Sequence, residues 1–151
     1  MSGDAAGAPV RLVDLDQGDP RLLPDVLPVL CELRPHLTPE SFAAVYDEGH
    51  GQGLRFLAAY LDDECVGVAG WRIVVTTSHL RKLYVDDLVT TEARRSAGVG
   101  RALLDGLVER ARSAGCHVLD LDSNVQRIDA HRFYEREGLD ITAYHFTRSL
   151  D

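Results

Sequence analysis

Apolar residues at Val10, Leu12, Val13 and Leu15 predict a first strand, ended by the polar turn Asp16-Gln17-Gly18-Asp19-Pro20. The stretch from Arg21 to Leu37 has helical apolar spacing, but Pro24, Pro28 and Pro35 interrupt or kink it. Thr38-Pro39-Glu40 reads as an N-cap with proline at the first helical position, opening a short helix through Tyr46. Gly49, Gly51 and Gly53 end that regime.

From Leu54 to Thr90 the period changes. LRFLAAYL, CVGVAGWRIVV and LRKLYVDDLVT are apolar, β-branched or aromatic runs, joined by Asp62-Asp63-Glu64 and Thr76-Thr77-Ser78. Such short connections predict an antiparallel meander of three strands. Gly67 and Gly70 inside the middle run predict a bulge or a close backbone approach. Val99, Leu103, Leu107, Val108 and Ala111 then recur at helical spacing between Gly98 and Ala114, and Gly115 caps the end. CHVLDLD predicts a strand. Ile128, Ala130, Phe133 and Tyr134 predict a short helix stopped by Gly138, and LDITAYHF a final strand.

The segment from LVT through the long helix to VLDLD is a strand–helix–strand unit, whose strands should lie parallel after a right-handed crossover. The expected fold is α+β, an α/β/α three-layer domain. Its central sheet should be mixed and mostly antiparallel, with that one parallel βαβ unit. Residues 1–8 are small and polar enough for a flexible tail, leaving 9–151 as a single domain.

Composition narrows the functional classes. The 151 residues are 45% hydrophobic and 26% charged, which excludes wholesale disorder. Lys and Arg total 16 against 24 Asp and Glu, a net charge of -8. That balance speaks against nucleic-acid binding, which depends on neutralising phosphates, and favours a cationic ligand. Cys31, Cys65 and Cys116 are widely spaced, with no CxxC pair and no metal-ligand cluster, so reduced cytoplasmic thiols and no metal are expected. MSGDAAGAPV lacks the n- and h-regions of a signal peptide, and no apolar run approaches the ~18 residues of a membrane span.

The most informative stretch is Arg95-Ser96-Ala97-Gly98-Val99-Gly100, between a predicted strand and a predicted helix. Glycines there let backbone approach a ligand, and the amides of a first helical turn favour phosphate. A Walker A loop is excluded because Arg101-Ala102 follows Gly100. A dinucleotide fingerprint is excluded because Leu103 stands where a third glycine belongs. Instead the stretch matches Q/R-x-x-G-x-G/A, with Arg95, Gly98 and Gly100 at the specified positions. Ala130, Tyr134 and Gly138 match a second block, Ala-x-x-x-Tyr-x-x-x-Gly, one helix and one strand later. On these motifs the chain resembles the GCN5-related N-acetyltransferases (GNAT), the specific match running over about residues 83–138.

The resemblance implies acetyl-CoA as acyl donor and an amine-bearing acceptor. Its pyrophosphate would lie on the amides of Ser96, Ala97, Gly98, Val99, Gly100 and Arg101 beside Arg94 and Arg95. The pantetheine arm would pair with the backbone of Leu88, Val89 and Thr90. Acyl transfer to an amine needs a neutral nucleophile, a stabilised oxyanion and a protonated leaving thiolate. An amine of pKa ~10 costs about 4 kcal/mol to deprotonate at pH 7. The family often places a base two or four residues before the polarising amide. With Leu88 as that amide, these positions are Asp86 and Tyr84, on one face by strand alternation, with Asp87 on the other. Asp86 is the candidate base, or equally a carboxylate that holds an ammonium without moving its proton. Tyr134 stands where the family places its general acid. No cysteine falls at either mapped position, favouring direct transfer in a ternary complex.

Other residues are open to two readings. Many relatives have Asn where this chain has Arg127, and Asn124 is out of register, so Arg127 is a cofactor or substrate contact or a surface arginine. His131 and His145 are bases or structural residues, Trp71 and Tyr60 pocket walls or core, and Asp47 and Glu48 an acceptor wall or a solvated face. A competing class, a non-catalytic acetyl-CoA-binding sensor, has no need of Tyr134. A third possibility stays within catalysis and changes the donor to a longer acyl-CoA. Homodimers are common in the family, and an exposed final strand would support one.

Overall fold

The computed structural model describes residues 9–95 and 97–151. The expected tail at 1–8 and the expected phosphate contact at Ser96 lie outside the described residues.

Five strands form one sheet in the order β1-β2-β3-β4-β5: β1 (Arg11–Leu15), β2 (Arg55–Leu61), β3 (Glu64–Thr76), β4 (Leu80–Thr90) and β5 (Val118–Leu121). The first three pairings are antiparallel, and β4–β5 is parallel, as the βαβ reading requires. Between β1 and β2, the chain makes a single π-type turn at Leu22–Val26, then α1 (Leu27–Leu33) and α2 (Pro39–His50). The wide turn falls where Pro28 has no N–H to offer the carbonyl four residues back. Thr38 and Ser41 cap α2 reciprocally, so the helix begins where expected and continues beyond Tyr46 to His50.

The sheet is packed on both faces. Leu15, Phe56, Ala58, Tyr60, Val68 and Val89 bury against the N-terminal helices. Leu57, Val66, Ala69, Leu83, Val85 and Leu88 bury against α3 (Val99–Ser113) and α4 (Ile128–Arg136). This is the expected three-layer arrangement. Alternation sets the two faces, and each fully buried Leu or Val contributes about 1.5–3 kcal/mol. Both middle-strand glycines serve the expected purposes: the β3–β4 register shifts at Gly70/Trp71, and Gly67 lies against Val99 and Leu103 of α3.

One expected strand is absent. Residues 139–151 take no strand conformation, and Ile141, Tyr144 and Phe146 are 73%, 85% and 90% exposed. Their alternating β-branched and aromatic side chains suit a strand, but a strand also needs a hydrogen-bonding neighbour, and this segment has none among the described residues. Gly138 does stop α4 as expected, at φ 90°.

Candidate active site

The site is built where the parallel pair comes apart. β5 pairs with β4 only from Lys82 to Val85 and ends at Leu121. β4 runs on through Leu88, Val89 and Thr90, which pair with Ala69, Val68 and Gly67 of β3 on one side. Their other side has no strand partner among the described residues. An extended ligand can therefore lie along this edge and take its peptide groups as hydrogen-bond partners.

The local break in β4 is a bulge. Gly70 stands opposite Asp87 and Trp71 opposite Val85, so Asp86 is the extra residue. The bulge changes the parity on which the expectation for Asp87 rested. Asp87 does not face away from Tyr84 and Asp86. Its Oδ1 accepts from Arg34 Nε at 2.8 Å, and its carboxylate lies over Gly70 beside Phe56, on the α1 side. Tyr84 and Asp86 do share a side: Arg72, opposite Tyr84, forks onto both Asp86 oxygens at 2.9 and 3.0 Å. Burial pushes the Asp87 carboxyl above its ordinary value, with Arg34 acting against the rise. Tyr84 donates to Asp122 at 2.7 Å, and burial together with that bond raises its phenol.

Beyond Thr90 the chain turns through Glu92–Arg94 into α3. Glu32 of α1 holds the turn, accepting from Thr91 Oγ1 at 2.6 Å and from the Glu92 amide at 3.0 Å. Gly98 enters α3 at φ 79°, a left-handed conformation that side-chain-bearing residues rarely adopt. The first turn then presents the Val99, Gly100 and Arg101 amides, and Ala102 closes the first bond back onto the Gly98 carbonyl at 3.0 Å. A Cβ on Gly100 would stand 3.2 Å from Phe133 Cζ and 3.5 Å from Thr90 Oγ1, so glycine lets α3 approach both α4 and β4. Ala97, Gly98 and Arg95 are exposed at the mouth. The surrounding cations are partly engaged, Arg94 with Glu64 at 2.7 Å and Arg101 with Glu137 at 3.4 Å.

Tyr134 comes from α4 into the same space. It is 9% exposed and belongs to the cluster containing Leu88, Val99 and Leu103. Burial raises its phenol above the ordinary value, and the Arg127 guanidinium beside it works in the opposite direction. A phenol so placed stays protonated at neutral pH and can give its proton to a stronger base formed in the cleft. The open β4 edge, the left-handed entry to α3 and this buried hydroxyl suit an extended thioester with a phosphate at one end. Leu88, Val89 and Thr90 would hold its arm, the amides from Ala97 to Arg101 its phosphate.

The remaining candidates lie elsewhere. Tyr60 is core, donating to Asp25 at 2.7 Å. Trp71 lines a shallow cavity of about 390 Å³ with Asp14, Asp16, Arg55, Phe56 and Arg110, away from the open β4 edge. Asp47 accepts from Gln17, and His131 bonds the Asn124 carbonyl at 2.8 Å, tying down the loop before α4. Asn124 itself accepts from the Gln126 amide. His145 Nδ1 lies 3.4 Å from Asp122 Oδ1. No sequence signal singles out Arg34, Arg72 and Glu32. Nothing in the spacing ties Glu32 and Arg34 to residues more than 50 positions away, and only the bulge brings Arg72 onto Asp86.

Among the described residues there is no cluster suited to a metal ion, and no helix is long and apolar enough to cross a membrane. Residues 23–139 match the acetyltransferase (GNAT) family. An N-acetyltransferase of Bacillus subtilis, YhdJ, is 35% identical over 82% of this chain and 88% of its own. The aminoalkylphosphonate N-acetyltransferase of Salmonella typhimurium is 34% identical over 83% and 95%. Among solved structures, an aminoglycoside N-acetyltransferase in complex with CoA superposes with a TM-score of 0.82 over 97% of this chain and 98% of its own, at 16% identity, which speaks to the fold. The chain therefore belongs to the acetyltransferase (GNAT) family and is an acetyl-CoA-dependent acyltransferase.

Proposed function

We propose that the protein is an N-acetyltransferase that passes the acetyl group directly to a primary amine of a small molecule or peptide, within one ternary complex. The observation that carries this reading is the junction of three features: the β4 edge at 88–90, without a strand partner among the described residues, the left-handed Gly98 turn and the buried Tyr134 hydroxyl. Relatives named for aminoalkylphosphonate, glucosamine 6-phosphate and aminoglycoside acetylation all act on amines, which supports an amine acceptor here.

Acetyl-CoA supplies an activated acetyl thioester. The backbone of Leu88, Val89 and Thr90 holds the donor's arm. The amides of Ala97, Gly98, Val99, Gly100 and Arg101, with the Arg95 side chain, hold its pyrophosphate at the positive end of α3. The Leu88 N–H polarises the acyl carbonyl. Asp86 takes the amine's proton, directly or through water. Although Arg72 occupies one lone pair on each carboxylate oxygen, each keeps another for an ammonium or a relay water. Tyr134 returns a proton to the departing thiolate.

The cysteines support direct transfer over an acyl-cysteine route. Cys65 donates to the Gly67 carbonyl, and burial pushes its thiol up to about 11; Cys116 is raised by the same cause. Free thiols also fit a cytoplasmic setting. We propose a homodimer as the assembly. Initial rates measured over a grid of both substrates test the ternary complex. Intersecting double-reciprocal lines are expected, and parallel lines would establish a covalent acyl-enzyme instead.

A further inference from the structure

Past the bulge, β4 and the residue after it show alternate side chains to two layers. Asp87, Val89 and Thr91 turn toward α1: Arg34 holds Asp87, Val89 is buried with Leu27 and Leu30, and Glu32 holds Thr91. Leu88 and Thr90 turn the other way, Leu88 into the cluster with Tyr134 and Thr90 beside Gly100. The end of α1 therefore grips one face of the strand at three successive positions, and the grip brackets the 88–90 edge.

The last of these contacts is an unusual cap. Thr91 precedes the turn Glu92–Arg94, where a threonine side chain commonly accepts from the turn's own amides, yet it makes no such bond. Its hydroxyl donates instead to Glu32 Oε2 at 2.6 Å, and its N–H goes to the Val66 carbonyl at 2.9 Å. Glu32 Oε1 accepts the Glu92 N–H at 3.0 Å, so a carboxylate from another layer supplies the cap. Arg94 of the same turn pairs with Glu64 rather than with Glu32. Because Glu32 is exposed, its two bonds add little to global stability, and what they fix is local. Its negative charge, taken alone, works against any phosphate bound at the start of α3.

We infer that Glu32 is a positioning residue for acetyl-CoA. By capping the turn after β4 it sets the path of the chain from the 88–90 edge to the first amides of α3, and so the relation between the donor's arm and its phosphates. This rests on the placement of the donor proposed above. Position and charge predict opposite effects of removing the carboxylate, which makes the two separable.

Calorimetric titration of the full chain with CoA, with amide hydrogen exchange followed by NMR, tests this. Glu32→Ala should weaken CoA binding about tenfold and speed exchange of the Glu92 amide by about tenfold or more. In Glu32→Gln the amide oxygen can accept the Glu92 N–H while its NH2 meets the Thr91 hydroxyl, so binding should stay within about twofold of the unaltered chain. Thr91→Val should weaken binding by itself and add nothing to Glu32→Ala, because the two substitutions remove the same bond. Unchanged binding in Glu32→Ala would overturn the inference. So would tighter binding in both Glu32 variants, since the carboxylate would then act by charge alone. CoA that binds the unaltered chain without slowing exchange at 88–90 would remove the donor placement itself, and this inference with it.

Discussion

Arg34 Nε lies 2.8 Å from Asp87 Oδ1, and the same guanidinium donates to the Asp86 carbonyl at 3.1 Å. The end of α1 thus clamps the β4 bulge from both a side chain and a peptide oxygen. The clamp sits one residue before Leu88, whose amide we propose to polarise the acyl carbonyl. A helix in the N-terminal layer thereby fixes the strand edge on which the cleft depends.

Removing that clamp should cost stability in a pH-dependent way. Asp87 is 15% exposed and Arg34 44%, so the pair lies between exposed and buried cases. Arg34→Met should destabilise by about 1–2 kcal/mol at pH 7, less than the loss from a fully buried pair. The folded-state pKa of Asp87 is already raised above 3.8, and Arg34 lowers it. Without Arg34 it rises further, so the variant's deficit is full at neutral pH. The deficit shrinks as the pH falls through the raised value and Asp87 takes up its proton. Thermal melts from pH 4 to 8 check this; a deficit that grows on acidification would contradict it.

Tyr134 should matter to turnover and little to binding. Tyr134→Phe keeps the ring within its cluster and removes only the hydroxyl. It should lower kcat by about 100-fold, with both KM values nearly unchanged. Steady-state kinetics decide it, and an unaltered kcat would remove Tyr134 as the acid.

Arg127 tunes that phenol. Its guanidinium lowers the Tyr134 pKa against the rise caused by burial, so Arg127→Ala should raise the phenol further. The alkaline limb of the kcat profile should then move to higher pH, with a several-fold lower kcat at pH 8 because a weaker acid serves the leaving thiolate. An alkaline limb that stays in place would show that Arg127 does not act through Tyr134.

Gly100 is required by packing, apart from its proposed part in ligand approach. Gly100→Ala puts a methyl 3.2 Å from Phe133 Cζ and should cost about 1 kcal/mol. Pairing it with Phe133→Leu should recover part of the loss, a coupling that additive substitutions would not show. Calorimetric titration with CoA should show weaker binding for Gly100→Ala, because α3 must shift at its first turn.

The sequence carried most of the framework because its signals were local. The Thr38 cap, the meander from 54 to 90, the Gly98 entry and the Gly138 stop each depend on residues within a few positions of one another. Strict alternation puts Asp87 on the wrong face because a bulge adds one residue and reverses parity downstream, and a residue count along β4 carries no trace of it. Arg34 reached Asp87, and Glu32 reached Thr91, across more than 50 residues, so only the folded chain shows them as parts of the site. The strand expected at LDITAYHF has the right alternation. Alternation sets which way side chains point, but a neighbouring strand must supply the hydrogen bonds.

The central claim is amine acetylation, and release of free CoA thiol tests it most directly, with acetyl-CoA and a panel of aminoalkylphosphonates, amino sugar phosphates, aminoglycosides, polyamines, amino acids and peptides. Thiol release that rises with one class of amine above the no-acceptor rate, with one acetyl amide formed per thiol, is the predicted result. Thiol release without an acetylated amine, at a rate indifferent to every acceptor, would contradict it.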